Sequence, residues 1–148
     1  MNNIYAINHF NFLDRIVLKK RIEIVNLVNS QFEDFFFNDV LDIGTTNDTK
    51  FVSSNFLIKN LKKMNIYKSI SDQKIHSDFF YKTLNKSITE NLTEYEINEF
   101  KSDLVVSNAT IEHVGNFNNQ SKMILNTIKL TKKAFVIITP NRYHPIDF

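Results

Sequence analysis

The stretch VLDIGTTND at residues 40–48 decides the fold class of this chain. Its first four residues are mostly apolar and strand-like, and Gly44 then ends the run. A residue without a Cβ at that point lets the backbone approach a ligand closely. A second stretch, DLVVSNATIEHV at residues 103–114, is another apolar strand that ends in polar side chains. Buried strands that end in such turns are typical of open α/β sheets, which bind ligands at the carboxyl ends of their strands.

Length and composition narrow the class of protein. The chain has 148 residues, of which 43% are hydrophobic, and this suits one domain with a substantial core. Acidic and basic residues nearly balance at a net charge of +2, which argues against a dedicated nucleic-acid-binding protein. The absence of cysteine excludes disulfides and a cysteine-built zinc site, and the four scattered histidines show no metal-binding spacing. Since no secretory signal or membrane-length apolar run is visible, we expect a cytoplasmic protein.

Hydrophobic periodicity predicts alternating helices and strands along the chain. The predicted strands are residues 39–43, 66–70, 86–89 (weak), 103–107 and 134–139. The predicted helices are residues 10–28, 55–64, 75–84 (short) and 118–130, and residues 94–100 are predicted to be a loop with a helical turn. This alternation indicates parallel strands joined by right-handed crossovers.

In this order the two stretches, with FVIITPNR at residues 135–142, resemble the class I (Rossmann-like) S-adenosylmethionine-dependent methyltransferases. The resemblance is to the type 11-like group, which has an Asp-x-Gly turn and Glu-His-Val after the fourth strand. It covers about residue 39 to the end. It implies one α/β domain over residues 1–148, with a helical segment at 1–30, a cofactor-binding core at 39–148, helices on both sheet faces and strand order 3-2-1-4-5. The family's two terminal strands would follow residue 148, so we expect a truncated chain.

The resemblance implies S-adenosyl-L-methionine as cofactor and gives the first strand and its turn a role. Gly44, Thr45 and Thr46 would wrap the methionine part and the ribose, although Thr46 and Asp48 replace the family's later glycines. Asp42 would anchor the methionine end. The alternative for Asp42 is that it caps the turn that follows.

Further cofactor contacts are implied at the ends of the other strands. Asp72, with Gln73, would accept hydrogen bonds from the ribose hydroxyls, and the alternative for Asp72 is a helix N-cap. Glu90 would contact the adenine amino group, with a solvated loop as the alternative. Asn108 follows the fourth strand, where cofactor and substrate would meet.

Candidate catalytic residues follow the fourth strand. His113 suits a general base near neutral pH, with Glu112 beside it, and a purely structural pair is the alternative. Three residues after the fifth strand are candidate substrate contacts: Asn141, Arg142 and His144. For Arg142 the alternative is an ion pair with Asp147 in a closing loop.

These features predict methyl transfer to a small-molecule or glycan-precursor acceptor, with self-association through the open edge of the fifth strand. Two alternatives stay open. One is a catalytically inactive remnant that acts as a binding or scaffold module. The other is a nicotinamide-binding Rossmann module, which is disfavoured because the first strand is not followed by Gly-x-Gly-x-x-Gly.

Overall fold

The computed structural model describes residues 12–48 and 54–140, and they contain a five-stranded parallel sheet of order β3-β2-β1-β4-β5. The strands are β1 (Asp39–Ile43), β2 (Ile66–Ser71), β3 (Lys82–Asn85), β4 (Ser102–Asn108) and β5 (Thr131–Ile138). The helices are α1 (Phe12–Gln31), α2 (Phe56–Asn60), α3 (Glu94–Phe100) and α4 (Phe117–Leu130). The predicted fold class and strand order are therefore confirmed.

Alternation along the central strands β1 and β4 builds a core on each face of the sheet. Val40, Leu104 and Val106 point to one face, where they pack with buried side chains of α1 and α2. Leu41 and Val105 point to the other face and pack with side chains of α3 and α4. Helices thus cover both faces, as predicted.

The third strand lies elsewhere than the sequence predicts. The helix predicted at residues 75–84 and the strand predicted at 86–89 are both wrong, because β3 is Lys82–Asn85 and residues 86–89 hold no strand, with a turn at 88–89. The Tyr81 amide donates to the Tyr67 carbonyl at 2.8 Å, and the Lys86 amide donates to the Ser71 carbonyl at 2.8 Å. Pairing with β2 therefore sets the backbone here, and it overrides a weak local preference.

The helices differ from prediction at their ends. α2 stops at Asn60 rather than near residue 64, because Leu61 is extended and Lys63 is left-handed, with a φ of 61°. α3 is a helix where a loop was predicted, and a capping box between Thr93 and Glu96 begins it. Predicted residues 10 and 11 of the first helix lie outside the described residues, and α1 continues to Gln31.

A network of charges lies at the amino ends of β1, β2 and β4. Lys68 donates to the buried carboxylate of Asp39 at 2.8 Å, and the amide of Asp103 donates to its other oxygen at 2.9 Å. Burial opposes ionisation of Asp39, but these hydrogen bonds and the charges of Lys68 and Lys132 outweigh it and lower its pKa. This network fixes the end of the sheet that lies away from the candidate site.

β5 forms one edge of the sheet, and Phe135 on it is 45% exposed. Self-association through this edge stays a prediction. Across the described ranges, no helix combines the length and the apolar character needed to cross a membrane.

Candidate functional site

A cleft of about 400 Å³ opens where β1, β2 and β4 end. Parallel strands bring their carboxyl ends to one edge of the sheet, and this is where such sheets bind ligands. The structure gathers six of the predicted site residues in this first cleft: Gly44, Thr45, Thr46, Asp72, Gln73 and His113. The remaining lining is Ile70, Ser71, Ser87, Ile88, Thr89, Ala109, Thr110 and Val114.

A second cleft, of about 320 Å³, lies on the other side of the glycine turn. Its charged lining residues are Arg21, Asp42 and Asp48, and Asn108 and Asn55 add amide groups. Three residues, Gly44, Thr46 and Ala109, line both clefts. The two clefts therefore adjoin at the ends of β1 and β4.

The conformation of the turn after β1 requires glycine at position 44. Gly44 has a φ of 91°, a left-handed conformation that side chains rarely adopt, and its amide donates to the Ile70 carbonyl at 2.9 Å. The hydroxyl of Thr110 donates to the Ile43 carbonyl at 3.1 Å and thereby ties the loop after β4 to the end of β1. The turn is fixed from both neighbouring strands.

Asp42 ends a chain of buried hydroxyls. Ser69 donates to Thr45 at 2.7 Å, and Thr45 donates to the Asp42 carboxylate at 2.5 Å. Burial raises the pKa of Asp42 to about 6, and the hydrogen bond from Thr45 opposes that shift. The carboxylate therefore accepts a hydrogen bond from a side chain of the turn that follows, and the capping alternative stays a prediction. It also lines the second cleft, where a cationic group would stabilise its charged form.

Arg21 is a site residue that the sequence analysis missed. It comes from α1, and its Nε is buried with no hydrogen-bond partner among the described residues. Burial lowers the pKa of its guanidinium. A buried guanidinium nitrogen without a partner is costly, and an anionic group is its natural complement. Position 21 follows Lys19 and Lys20, so the sequence alone suggests only a solvated helix face.

Asp72 follows β2 directly and is exposed at the first cleft. The N-cap alternative is wrong, because residues 73–81 contain no helix. The preceding Ser71 hydroxyl accepts from the Gln73 amide at 3.1 Å and donates to the Thr45 carbonyl at 2.7 Å. These bonds hold the β2 turn against the β1 turn, and the Asp72 carboxylate stays available to a ligand.

Glu90 does not line either cleft. Its Oε1 accepts from the Ser87 amide at 3.1 Å, and Ser87, Ile88 and Thr89 form the wall at that position instead. Asn126 of α4 holds this loop by donating to the carbonyls of Ile88 at 2.7 Å and Glu90 at 2.9 Å.

His113 lines the first cleft, and its side chain is 77% exposed. Its Nε2 lies 4.0 Å from Oε1 of Glu112, an atom that is buried and accepts no hydrogen bond within residues 12–48 and 54–140. The other oxygen of Glu112 accepts from Thr139 after β5 at 3.3 Å.

Three predicted substrate contacts, Asn141, Arg142 and His144, lie outside the described residues.

No protein-family model matches the chain. A search of curated proteins finds no significant match. Among solved structures, the chain is similar to the N-methyltransferase NodS from Bradyrhizobium japonicum WM9 in complex with S-adenosyl-L-homocysteine. The TM-score is 0.54 at 12% identity, over 89% of this chain and 63% of that one.

A second structure of NodS gives a TM-score of 0.54 at 13% identity, over 80% of this chain and 65% of NodS. The chain thus spans a little under two thirds of the length of the proteins that it matches. At this level of identity the likeness concerns the backbone and not the site residues. It shows that the chain has the fold of the Rossmann-like S-adenosylmethionine-dependent methyltransferases.

Proposed function

We propose that this chain binds S-adenosylmethionine across the two adjoining clefts and directs transfer of its methyl group to a small-molecule acceptor. The observation that carries the proposal is the junction of the clefts at Gly44, Thr46 and Ala109. A ligand with a nucleoside at one end and an amino acid at the other would fill both. The methyltransferase fold supports this ligand over others.

The first cleft suits an adenosine group. Asp72 is exposed there after β2, where a carboxylate accepts hydrogen bonds from ribose hydroxyls. Ile70, Ile88 and Val114 provide an apolar wall against which an adenine ring would pack. Thr89 offers a hydroxyl on the same wall, at the position where Glu90 was predicted to act.

The second cleft suits the amino-acid end. Arg21 has the planar guanidinium that pairs with a carboxylate, and its Nε has no partner among the described residues. Asp42 lines the same cleft and supplies the negative charge that pairs with an ammonium. Arg21 and Asp42 thus offer one charge of each sign to a group that carries both, and Asp48 lines the same cleft.

The cofactor supplies an electrophilic methyl group on a sulfonium, which lies between its two ends. Catalysis then depends mainly on positioning, since an acceptor must be held in line with the bond that breaks. His113 at the rim of the first cleft is the candidate to accept a proton from the acceptor, with Glu112 beside it. Because NodS is an N-methyltransferase, amines are the first acceptor class to test, and hydroxyl groups of glycan precursors are the second.

The proposal is tested by calorimetric titration of the chain with S-adenosylhomocysteine, the demethylated product. We expect a micromolar dissociation constant that Arg21→Met and Asp72→Asn each weaken by about tenfold or more. Arg15→Met, at an exposed arginine on the same helix, and Asp78→Asn, at an exposed acid outside both clefts, are the matched controls and should bind like the wild type.

Three results would count against the proposal. Binding of a nicotinamide dinucleotide in place of S-adenosylhomocysteine would favour the other cofactor class. A folded chain that binds neither ligand would favour a scaffold role. Equal loss of affinity in the control variants would show that the two clefts are not the site.

A further inference from the structure

Ala109 has an unusual backbone at the junction of the clefts. It follows β4 directly and has a φ of 54°, in the left-handed region that alanine rarely adopts. Only two other non-glycine residues in the described ranges have a positive φ, Asn55 and Lys63. Asparagine tolerates this conformation. Lys63 lies after α2 and lines neither cleft.

The structure holds this conformation from both sides. The Ala109 amide donates to the Ile138 carbonyl of β5 at 2.9 Å. The next residue, Thr110, donates to the Ile43 carbonyl of β1 at 3.1 Å. A disfavoured backbone persists only where its surroundings determine it, and such positions concentrate at binding sites.

The left-handed turn has a consequence for the two clefts. Asn108 before it lines the second cleft only, and Thr110 after it lines the first cleft only. Ala109 itself lines both, next to Gly44 from the neighbouring strand. A ligand that passes from one cleft to the other therefore crosses at Gly44 and Ala109, the two smallest residue types, with Thr46 as the third residue common to both clefts.

We propose that Ala109 is a positioning residue, whose left-handed backbone and small side chain fix where the ligand crosses between the clefts and limit the size of the group at the crossing. This inference rests on the proposed function, in which the sulfonium lies at that crossing. It predicts that a larger residue here blocks a ligand that spans both clefts but not one confined to the first cleft. Adenosine and S-adenosylhomocysteine are ligands of these two kinds.

The test compares Ala109→Asn and Ala109→Gly by calorimetric titration with both ligands. Asparagine tolerates the left-handed conformation, so it adds bulk at little cost to the fold, and glycine keeps the conformation while removing the methyl group. For Ala109→Asn we expect affinity for S-adenosylhomocysteine to fall by about tenfold or more and affinity for adenosine to change by less than about threefold. Ala109→Gly should bind both ligands within about threefold of wild type and melt no lower. Lys63→Gly, which relieves the same backbone conformation away from the clefts, should leave both affinities unchanged.

Two outcomes overturn the inference while leaving the proposed function standing. The first is unchanged S-adenosylhomocysteine binding by Ala109→Asn. The second is an equal loss of both ligands by that variant, which would give Ala109 a merely structural role in the first cleft. A folded wild-type chain that binds adenosine but not S-adenosylhomocysteine would overturn the proposed function, and this inference with it.

Discussion

Thr110 occupies the space into which a side chain at Gly44 would project. A Cβ at Gly44 would lie 2.7 Å from Cγ2 and 2.9 Å from Cβ of Thr110, and closer still to its hydroxyl oxygen. The glycine is thus required by contact between β1 and the loop after β4, as well as by its backbone angle. Because both elements line the first cleft, packing and ligand binding depend on the same residue.

Gly44→Ala is expected to lower the free energy of unfolding by about 3 kcal/mol, since it adds backbone strain to a steric clash. Thr110 would have to move, and the wall of the first cleft would move with it. We therefore expect S-adenosylhomocysteine binding to be lost even under conditions in which the variant is still folded. Urea unfolding followed by circular dichroism, together with calorimetric titration, measures the two effects.

Gly115→Ala is the matched control. Gly115 has nearly the same backbone angle, with a φ of 97°. A Cβ added there would come no closer than 3.6 Å to a neighbour, the side-chain nitrogen of Asn119. It therefore carries strain without a clash, and we expect a loss of about 1 kcal/mol and unchanged ligand affinity. Equal destabilisation by the two variants would show that the Thr110 contact has no energetic consequence.

The raised pKa of Asp42 predicts an unusual pH dependence of the free energy of unfolding. Burial raises its pKa to about 6 in the folded chain, whereas an unfolded aspartate titrates near about 3.9. Between these values the folded state binds more protons than the unfolded state. The contribution of Asp42 to stability is therefore fully present below about pH 4 and falls by as much as about 3 kcal/mol as the pH rises through 6.

Asp42→Asn should remove this dependence and leave the chain more stable than wild type near pH 7. Urea unfolding at a series of pH values from about 4 to 7.5 measures it. Asp39 and Asp103 have lowered pKa values, so their contributions are lost only as the pH falls further, and they do not mask the effect. Asp78→Asn at an exposed position is the control. A slope in Asp42→Asn that matches wild type between pH 4 and 6 contradicts the prediction.

The two central strands were predictable because their residues are buried on both faces. β1 has the predicted bounds, and β4 extends the prediction by one residue at each end, because closely spaced apolar residues that face both sides of the sheet specify such strands. β3 lacks that signal, since Lys82–Asn85 holds one apolar residue, Leu84, and is defined by its partner strand. The capping box of α3, Thr93 with Glu96, was a readable signal that the prediction did not use.

The first cleft was predictable for a topological reason. Gly44 and Asp72 each follow a strand, and parallel strands must bring such residues to one edge of the sheet. Arg21 and Ala109 were not predictable in this way. The contribution of Arg21 depends on how α1 packs on the sheet, and that of Ala109 depends on a backbone angle set by β1 and β5 together. Both are consequences of tertiary structure.

The Asp39–Lys68 pair at the opposite end of the sheet gives a prediction about stability alone. The two side chains are 7% and 11% exposed, so removal of Lys68 leaves a buried carboxylate without its principal partner. Lys68→Met should therefore lower the free energy of unfolding by about 3 kcal/mol. The double variant Asp39→Asn, Lys68→Met should recover most of that loss, because it removes the charge that became costly. Urea unfolding of the two single variants and the double variant gives the coupling free energy.

Lys20→Met tests whether burial, and not the ion pair itself, produces this effect. Lys20 and Glu23 lie at the same distance of 2.8 Å, but both are about half exposed on α1. Water screens such a pair, so its loss should not measurably change stability. Lys68→Met could prove as well tolerated as Lys20→Met. In that case the Asp103 amide and Lys132 alone stabilise the buried carboxylate of Asp39. The pair would then have no special role in holding the amino ends of β1 and β2 together.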